Sequence, residues 1–178
     1  MRQNCSLFSM AEENHQLKID LISDEIREIA YKGQQATIYQ IGDEVEVASQ
    51  VLGFIGSYLY ATIIYPVGAL HYKVQYKTLV TDDETAPLQE TVRVSEVRPV
   101  PPTLPSEARS MVTYDIVDVY DKEAWWFGVI TGEDEENYHV YFPTTGEHVA
   151  YSTDKLRFHQ EWSNGQWIFP SLGRIDFV

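Results

Sequence analysis

The sequence predicts a mainly β protein built from two small tandem barrels, with one helical segment at its N-terminus. Three observations support this fold class: apolar and polar residues alternate with period 2 from residue 42 onward, a single helical stripe precedes them, and the strand pattern occurs twice. A chain of 178 residues can form one domain or two small ones that share an interface. Each repeat has about 55 residues, a length at which a strongly bent sheet tends to close into a barrel.

The amino-acid composition restricts the kinds of molecule that this protein can bind. Lys and Arg number 13 against 27 Asp and Glu, so the formal net charge is −14. This charge disfavours binding to nucleic acid or to an anionic membrane, and it favours a basic partner. Residues 112–162 carry 11 acidic and 3 basic side chains, which concentrates the negative charge in the second half. The single cysteine excludes an internal disulfide framework, and we expect neither a membrane span nor a secretory signal.

The N-terminal arm, residues 1–38, has the one helical pattern in the sequence. Its apolar residues recur at nearly helical spacing and would form one stripe: Leu17, Leu21, Ile22, Ile26 and Ile29. Gly33 follows as a stop signal, and we therefore predict a helix over residues 13–31. We expect this stripe to pack on the barrels or to fray as an N-terminal arm, and a helix dedicated to binding a partner is the alternative.

The first barrel unit is predicted over residues 39–102. Its short strand patterns are separated by glycine and proline turn signals and lie at Val45–Val47, Tyr58–Ile64, Tyr72–Tyr76 and Val92–Val94. Four prolines between Pro99 and Pro105 cannot lie inside a sheet. We therefore expect this unit to end in a stiff, proline-rich linker.

The second unit is predicted over residues 112–170 and repeats the first. The matching segments, taken in pairs, are Asp43–Val47 with Asp115–Val119, Tyr72–Thr78 with Tyr138–Thr144, and Glu96–Pro99 with Lys155–Phe158. An Asn-Gly pair at Asn164 lies between two tryptophan-bearing arms and predicts a C-terminal hairpin.

In this order the segments resemble the plant-type tandem Agenet domain family, which belongs to the Tudor-like group. The resemblance in the first unit rests on Gly42–Val47, Gly53–Ala61, Tyr76–Leu79 and Val97–Pro99. In the second unit it rests on Val117–Tyr120, Trp125–Trp126, Gly128–Ile130, Leu156–Arg157 and the closing Glu161-Trp162, Asn164-Gly165 and Trp167. The resemblance implies a five-stranded Tudor-like barrel in each unit. It also implies a chromatin adaptor, localised in plant nuclei, that reads lysine methylation on histone tails.

For such a reader the resemblance implies an aromatic cage, in which ring faces hold the methylated ammonium by cation–π attraction. In the second unit the cage walls fall on Trp126 and Phe142. The end of the first strand falls on Tyr120 or Asp121, and the loop position falls near Thr145. A carboxylate at this place would select lower methylation states, which keep an N–H group.

The first unit departs from the pattern of the family. Its strand 2 wall falls on Leu59, its strand 3 wall on Tyr76, and the end of its first strand on Ser49. Neighbouring residues could build a cage there instead: Phe54, Tyr58, Tyr60 and Asp83.

Each of these residues also has a purely structural interpretation. Small barrels need large aromatic residues to fill their cores, and Trp125 and Trp126 are adjacent on a strand, so that one points inward and the other outward. We expect the exposed one to bind the peptide. Asp82 and Asp83 lie in an acidic run that is typical of a solvated loop, and its functional alternative is electrostatic attraction of a basic tail.

The sequence thus predicts a non-catalytic reader of a basic peptide, with no cofactor and no metal, because catalytic and ligand-spacing motifs are absent from it. Two alternatives stay open. The chain could be a scaffold that docks another chromatin protein through the N-terminal helix or an apolar surface. Nucleic-acid binding, which the net charge disfavours, would need a basic patch, for which the candidates are Lys73, Lys77, Arg93 and Arg98.

Overall fold

The computed structural model describes residues 39–104 and 110–169. This part of the chain forms twelve strands and two short 3-10 turns, and all strand pairs in it are antiparallel. The mainly β prediction agrees with this architecture.

The first five strands form unit 1. They are β1 (Glu44–Ala48), β2 (Ser57–Val67), β3 (His71–Val80), β4 (Pro87–Arg93) and β5 (Val97–Pro99), and they pair in the order β4-β3-β2-β1-β5. A 3-10 turn, Val94–Glu96, leads β4 directly into β5, so the two outer strands are joined and the sheet curls around its core. Alternate residues of β2, among them Leu59, Ala61 and Ile63, are buried, as period 2 requires.

The next five strands form unit 2 and repeat this arrangement. They are β6 (Ile116–Asp121), β7 (Ala124–Glu133), β8 (Tyr138–Phe142), β9 (Glu147–Tyr151) and β10 (Leu156–Phe158), in the order β9-β8-β7-β6-β10. The 3-10 turn Thr153–Lys155 precedes β10. A hairpin of β11 (Glu161–Ser163) and β12 (Gln166–Ile168) follows, and both residues of its turn, Asn164 and Gly165, have positive φ.

The predicted N-terminal helical segment has to be removed from the fold class. Residues 39–104 and 110–169 contain no α-helix, and the two 3-10 turns are the only helical backbone in these ranges. The predicted helix over residues 13–31 lies outside the described residues, as does the whole of the arm 1–38. The apolar spacing alone is weak evidence for a helix, since a short amphipathic segment needs a packing partner to be stable.

The two units are joined by a strand pair as well as by the linker. The start of β2 pairs with the start of β7, with Ser57 opposite Trp126 and Tyr58 opposite Trp125. The ten strands of both units therefore form one continuous sheet. Tyr58 and Trp125 are also equivalent in the repeat, because each lies three residues before a small residue of its strand, Ala61 in β2 and Gly128 in β7. This antiparallel contact therefore has local two-fold pseudosymmetry.

The cores of the two units meet at the beginning of β7. Ala124 is fully buried in the core of unit 1, although it lies on a strand of unit 2. The half-buried Trp126 packs against both cores. The apolar contact between the units is thus continuous with their interiors.

No helix among the described residues is long and apolar enough to cross a membrane.

Candidate functional site

Three aromatic side chains gather around Asp121 at one end of unit 2. Trp126 donates a hydrogen bond from Nε1 to the Asp121 carbonyl oxygen at 2.8 Å, and the Tyr151 hydroxyl donates to Asp121 Oδ2 at 3.2 Å. The rings of Phe142 and Tyr151 meet edge to face, with centroids 6.0 Å apart. These four residues are called the Asp121 cluster. The hydrogen bonds fix the orientation of both polar aromatic side chains, which is what a preorganised binding site requires.

Gly128 allows Phe142 to approach the cluster. A Cβ atom at Gly128 would lie 2.4 Å from Val140 Cγ1, 3.3 Å from the Tyr141 carbonyl oxygen and 3.6 Å from the Phe142 ring. β8 can therefore pack this closely only against a residue without a side chain. Phe142 is buried, whereas Trp126 and Tyr151 are half-buried, so part of each of their surfaces faces solvent.

Tyr151 was not among the residues predicted from the sequence. It ends β9, and the hairpin register places it opposite Tyr138, beyond the predicted loop position near Thr145. A signal for it was present, since Val149-Ala150-Tyr151 is a short apolar run that follows the turn signal at Gly146. Burial raises the pKa of Tyr151 to about 12, with further contributions from the charge and the hydrogen bond of Asp121. Its hydroxyl therefore stays protonated and remains a donor.

Phe54 reaches this site from unit 1. Its ring lies against Trp126, with centroids 5.6 Å apart and an angle of 36° between the ring planes. It belongs to the loop between β1 and β2, and Gly56 of that loop lies beside Thr144 of the β8–β9 turn, where an added Cβ would be 3.1 Å from Thr144 Cγ2. The structure thus brings Phe54, Trp126, Phe142 and Asp121 of the predicted set together across the two units.

Trp125 and Tyr58 face arginines of the same chain instead. The Arg157 guanidinium carbon lies 4.0 Å from the centre of the Trp125 ring, and that of Arg98 lies 3.3 Å from the centre of the Tyr58 ring. Each of these two rings therefore already has a cation on one face. Of the adjacent tryptophans, Trp126 joins the Asp121 cluster and Trp125 lies at the contact between the units.

Tyr120 also lies outside the Asp121 cluster. Its ring packs against Trp125 with centroids 5.1 Å apart, and its hydroxyl donates to Glu123 at 3.3 Å. Lys155 Nζ lies 5.7 Å from the centre of the same ring. Of the two residues predicted for the end of the first strand, the structure therefore brings Asp121 to the cluster and turns Tyr120 toward the contact between the units.

A group of buried charged side chains connects the units. This charge cluster consists of Glu46, Arg98, Asp118, Arg157, His159 and Glu161. Arg98 pairs with Glu46 at 2.8 Å and lies 3.6 Å from Asp118, while Arg157 lies 2.7 Å from Glu46 and 2.9 Å from Asp118. Three carboxylates thus face two guanidinium groups and one imidazole, and the charges balance when the imidazole is protonated.

His159 completes this balance. Its Nδ1 contacts Asp118, and its Nε2 lies 2.8 Å from Glu161 Oε1. Burial alone would lower the pKa of His159, but the charges and hydrogen bonds of Asp118 and Glu161 raise it to about 9. Burial alone would raise the pKa of Asp118. The charges of His159, Arg98 and Arg157 outweigh this effect and hold its pKa well below the usual range. Both groups are therefore charged at neutral pH.

Unit 1 has a groove at the position equivalent to the Asp121 cluster. The cavity has a volume of about 710 Å³, and Ser49, Leu59 and Tyr76 line it. The Tyr76 hydroxyl donates to Glu90 at 2.8 Å, and burial together with this hydrogen bond raises the pKa of Tyr76. Tyr76 is the one Phe, Tyr or Trp residue of its lining, and the other ring there is the imidazole of His71.

Asp82 and Asp83 belong to the exposed β3–β4 turn and line no part of that groove. The Asp83 carboxylate accepts hydrogen bonds from the hydroxyls of Thr81 and Thr85 and from the Thr85 backbone, which lower its pKa. Its geometry is that of a side chain that stabilises a turn.

Three of the four basic residues named as candidates for a nucleic-acid patch contact other groups of the chain, and the fourth, Arg93, is exposed. Arg98 is 4% exposed and belongs to the charge cluster, Lys77 pairs with Glu44 at 2.8 Å, and Lys73 bonds to the Gln89 carbonyl oxygen. Nor do the described residues include a group of three or more His, Cys, Asp or Glu side chains that could hold a metal ion.

Two five-stranded units of the same strand order, joined through one sheet, define a tandem Tudor-like module. The chain belongs to the Agenet domain family, whose sequence model matches residues 42–102. It is 34% identical over 138 residues to the Arabidopsis thaliana protein AGENET DOMAIN (AGD)-CONTAINING P1, a match that covers 72% of this chain and 27% of the relative. It is 30% identical over 139 residues to DUF724 domain-containing protein 6 of the same plant, covering 76% and 20%.

Two crystal structures resemble the fold. The AGD34 structure of Arabidopsis thaliana AGDP1 has a TM-score of 0.68 and 30% identity, and the match covers 74% of this chain and 90% of that one. The structure of ADCP1 tandem Agenet domain 3-4 has a TM-score of 0.66 and 27% identity, covering 83% and 95%. The chain spans about a quarter of the length of its full-length relatives. Members of the family are binding modules, commonly chromatin-associated readers.

Proposed function

We propose that this chain is a non-catalytic chromatin reader that binds a basic histone tail and holds a methylated lysine in the Asp121 cluster. The observation that carries the proposal is the grouping of Trp126 and Tyr151, both hydrogen-bonded to Asp121, with Phe142, and the surfaces of Trp126 and Tyr151 are partly open to solvent. Family membership adds to it, since the resemblance to tandem Agenet structures extends over both units. A nuclear localisation belongs to the same proposal.

The chemistry of the cluster suits a methylated ammonium. Methylation removes hydrogen-bond donors from the lysine but leaves its charge, and each aromatic face contributes about 0.5–2 kcal/mol by cation–π attraction. Asp121 Oδ2 accepts from Tyr151, while Oδ1 accepts a backbone hydrogen bond from Lys122 at 3.0 Å. Each oxygen keeps a second lone pair, so this carboxylate can accept the N–H of a monomethylated or dimethylated lysine.

Charge favours a basic ligand for this unit. Residues 112–162 carry a net charge of −8. A negative field of this kind accelerates encounter with an Arg/Lys-rich tail and contributes less to the final affinity. With one anchored side chain and a small groove, we expect dissociation constants of about 1–100 μM.

The groove of unit 1 is not part of the proposed methyl-lysine site. It offers Tyr76 and the aliphatic Leu59 where the Asp121 cluster has Phe142 and Trp126. Tyr76 is the one Phe, Tyr or Trp ring in that groove, and a methylated ammonium is best enclosed by at least two such faces, so we assign methyl-lysine binding to unit 2.

The test is binding to a histone peptide array on which each lysine is unmodified, monomethylated, dimethylated or trimethylated. Wild type is compared with Trp126→Ala and Tyr151→Ala, because Trp126 packs on both cores and its loss could disturb the fold. The control is Tyr65→Ala, which removes an exposed tyrosine of β2 outside the cluster. We expect methyl-dependent binding by wild type and Tyr65→Ala, and its loss in the other two variants.

Two results would contradict the proposal. Methyl-dependent binding that survives in both cluster variants would move the cage away from the Asp121 cluster. Absence of any methylation preference in wild type would overturn the reader function and favour a scaffold whose binding is insensitive to methylation.

A further inference from the structure

The loop between β1 and β2 exposes aliphatic side chains to solvent. Leu52 is 90% exposed, Val51 59% and Ile55 54%. Residues 51–55 are called the apolar turn. Turns at a protein surface are usually polar, and a cluster of exposed aliphatic side chains is typical of an interaction surface.

Hydrogen bonds hold the apolar turn in one conformation. The Phe54 amide donates to the Val51 carbonyl oxygen at 2.9 Å, and the Ser57 amide and hydroxyl donate to the Phe54 carbonyl oxygen at 3.0 Å and 2.8 Å. The Ser49 amide donates to Ser57 across the base of the loop at 2.9 Å. Because the backbone is ordered before a ligand arrives, binding to the turn costs less conformational entropy.

The apolar turn belongs to unit 1 but lies beside the Asp121 cluster of unit 2. Phe54, in the middle of the turn, contacts Trp126. The strand pair of β2 with β7 fixes this position, since Ser57 lies directly opposite Trp126. The far side of the loop, at Gly56, meets the β8–β9 turn at Thr144.

We propose that the apolar turn is a second subsite of the unit 2 peptide site and binds an aliphatic side chain of the same basic peptide. This inference rests on the proposed function. Leu52 and Ile55 are one or two residues from Phe54, so their Cα atoms lie within about 7.6 Å of its Cα atom. An extended peptide advances about 3.3 Å per residue, so the aliphatic residue lies about two to four positions from the methylated lysine.

Charge and chemistry together restrict the partner. Unit 2 supplies negative charge around the Asp121 cluster, whereas the apolar turn itself has no charged residue. The ligand is therefore a basic peptide with an uncharged, aliphatic position at fixed distance from its lysine. A fully charged tail would leave the turn without a contact, and this gives the site selectivity between lysines in different sequences.

The experiment uses the whole 178-residue chain and synthetic peptides of about ten residues, which can extend from the cluster to the turn. Each peptide has a central dimethylated lysine between arginines, with Leu or Ser placed at one of the neighbouring positions on either side. Wild type is compared with the double variant Leu52→Ser/Ile55→Ser. The matched control is Leu70→Ser, which changes a leucine of similar exposure, 69%, in the β2–β3 turn. Isothermal titration measures the affinities.

We expect wild type and Leu70→Ser to bind the best Leu peptide about tenfold more tightly than its Ser counterpart. The double variant should bind both peptides equally, at the level of wild type with the Ser peptide. N-acetyl dimethyl-lysine methylamide, which cannot reach the turn, should shift the Trp126 indole NMR signal equally in wild type and double variant.

Equal affinity of wild type for Leu and Ser at every position would overturn the second subsite while leaving the reader function intact. Failure of the methylamide to shift Trp126 in wild type, together with no methylation preference, would overturn the reader function itself. Self-association of wild type that is lost in the double variant would assign the turn to a second copy of the chain instead of the peptide.

Discussion

Glu46 and Asp118 hold equivalent positions in the two repeats, and each carboxylate faces both Arg98 and Arg157. Glu46 lies 2.8 Å from Arg98 and 2.7 Å from Arg157, and Asp118 lies 3.6 Å and 2.9 Å from the same two residues. The strand register explains the pairs within each unit, because Glu46 opposes Arg98 in unit 1 and Asp118 opposes Arg157 in unit 2. The contact between the units adds the two crossed pairs. The ion pairs thus hold the two units in one relative orientation.

Removal of one guanidinium should destabilise the whole described fold. In Arg98→Met, Glu46 and Asp118 stay buried with Arg157 as their one remaining arginine, and we expect a loss of about 3 kcal/mol in the free energy of unfolding. Urea denaturation measures it. Lys77→Met is the control, because its ion pair with Glu44 is exposed and should contribute less than about 1 kcal/mol. A loss of similar size in both variants would show that burial of the cluster does not matter.

Stability should depend on pH through His159. Its pKa rises from the ordinary 6.5 to about 9 in the folded chain, so the folded state binds more protons than the unfolded state between these values. The contribution is fully present below pH 6.5 and is lost as the pH rises through 9, a change of about 3 kcal/mol. Thermal unfolding from pH 6 to 10 measures it, and His159→Gln should abolish the dependence on pH in this window. An unchanged slope in that variant would assign the titration to another group.

At acid pH, stability should depend on Asp118, whose pKa shifts in the opposite direction to that of His159. Its pKa is lowered in the folded chain, so its contribution is present above the ordinary value of 3.8 and is lost as the pH falls below it. We therefore expect maximal stability between pH 3.8 and 6.5 as far as this pair is concerned. Urea midpoints measured from about pH 3 to about pH 9 test the expectation, and a maximum above pH 7 would contradict it.

Gly128→Ala should destabilise unit 2 and weaken the Asp121 cluster. The new methyl group would lie 2.4 Å from Val140, and the strain of such overpacking costs about 1–3 kcal/mol. β8 would have to shift, and Phe142 would move with it. Gly132→Ala on the same strand is the matched control, because nothing lies within 4 Å of its Cβ position and its stability should change by less than about 1 kcal/mol. Equal stability of the two variants would refute the packing argument.

Asp121→Asn should change the methylation preference more than the total affinity. The amide oxygen can still accept from Tyr151, but the negative charge that favours an N–H donor is lost. We expect affinity for monomethylated and dimethylated peptides to fall about fivefold and that for trimethylated peptides to fall less. Asp134→Asn removes the same charge from an exposed turn and should lower all affinities equally. A uniform loss in Asp121→Asn as well would reduce its role to general electrostatics.

Local patterns were enough to predict the strands but not the contact between the units. Alternation at period 2, short runs of β-branched and aromatic residues and turn signals predict β1, β2 and β3, because these follow from the neighbouring residues alone. The pairing of β2 with β7 joins residues that are far apart in sequence, and no local pattern encodes it. Arg98 is an example. The sequence made it a candidate for a basic surface patch, but in the structure it is buried between Glu46 and Tyr58.

The residues of the candidate site likewise include some that could be predicted from the sequence and some that could not. The resemblance to the family implied Trp126 and Phe142 as cage walls, because strand register within a unit carries the family's positions over to this sequence. Phe54 reaches the cluster from the other unit, and Tyr151 reaches it from the strand after the predicted loop. These two depend on tertiary packing. The roles of Trp125 and Tyr58 were likewise undetermined by the sequence, because an aromatic strand residue can contact a ligand or an arginine of its own chain.

The self-complementary pairing of Tyr58 with Trp125 is the geometry of a homodimer that a linker has made into one chain. Fusion of two identical halves would produce this pairing directly. The pseudo-two-fold axis divides the residues of each half into two groups. Residues at the axis contact their own counterparts, so they have to change in concert. Residues that line the two sites without pairing across this axis, such as Tyr76 and its counterpart Phe142, are free to diverge independently. A duplicated gene of this kind can therefore keep one rigid frame while its two ends acquire different ligands.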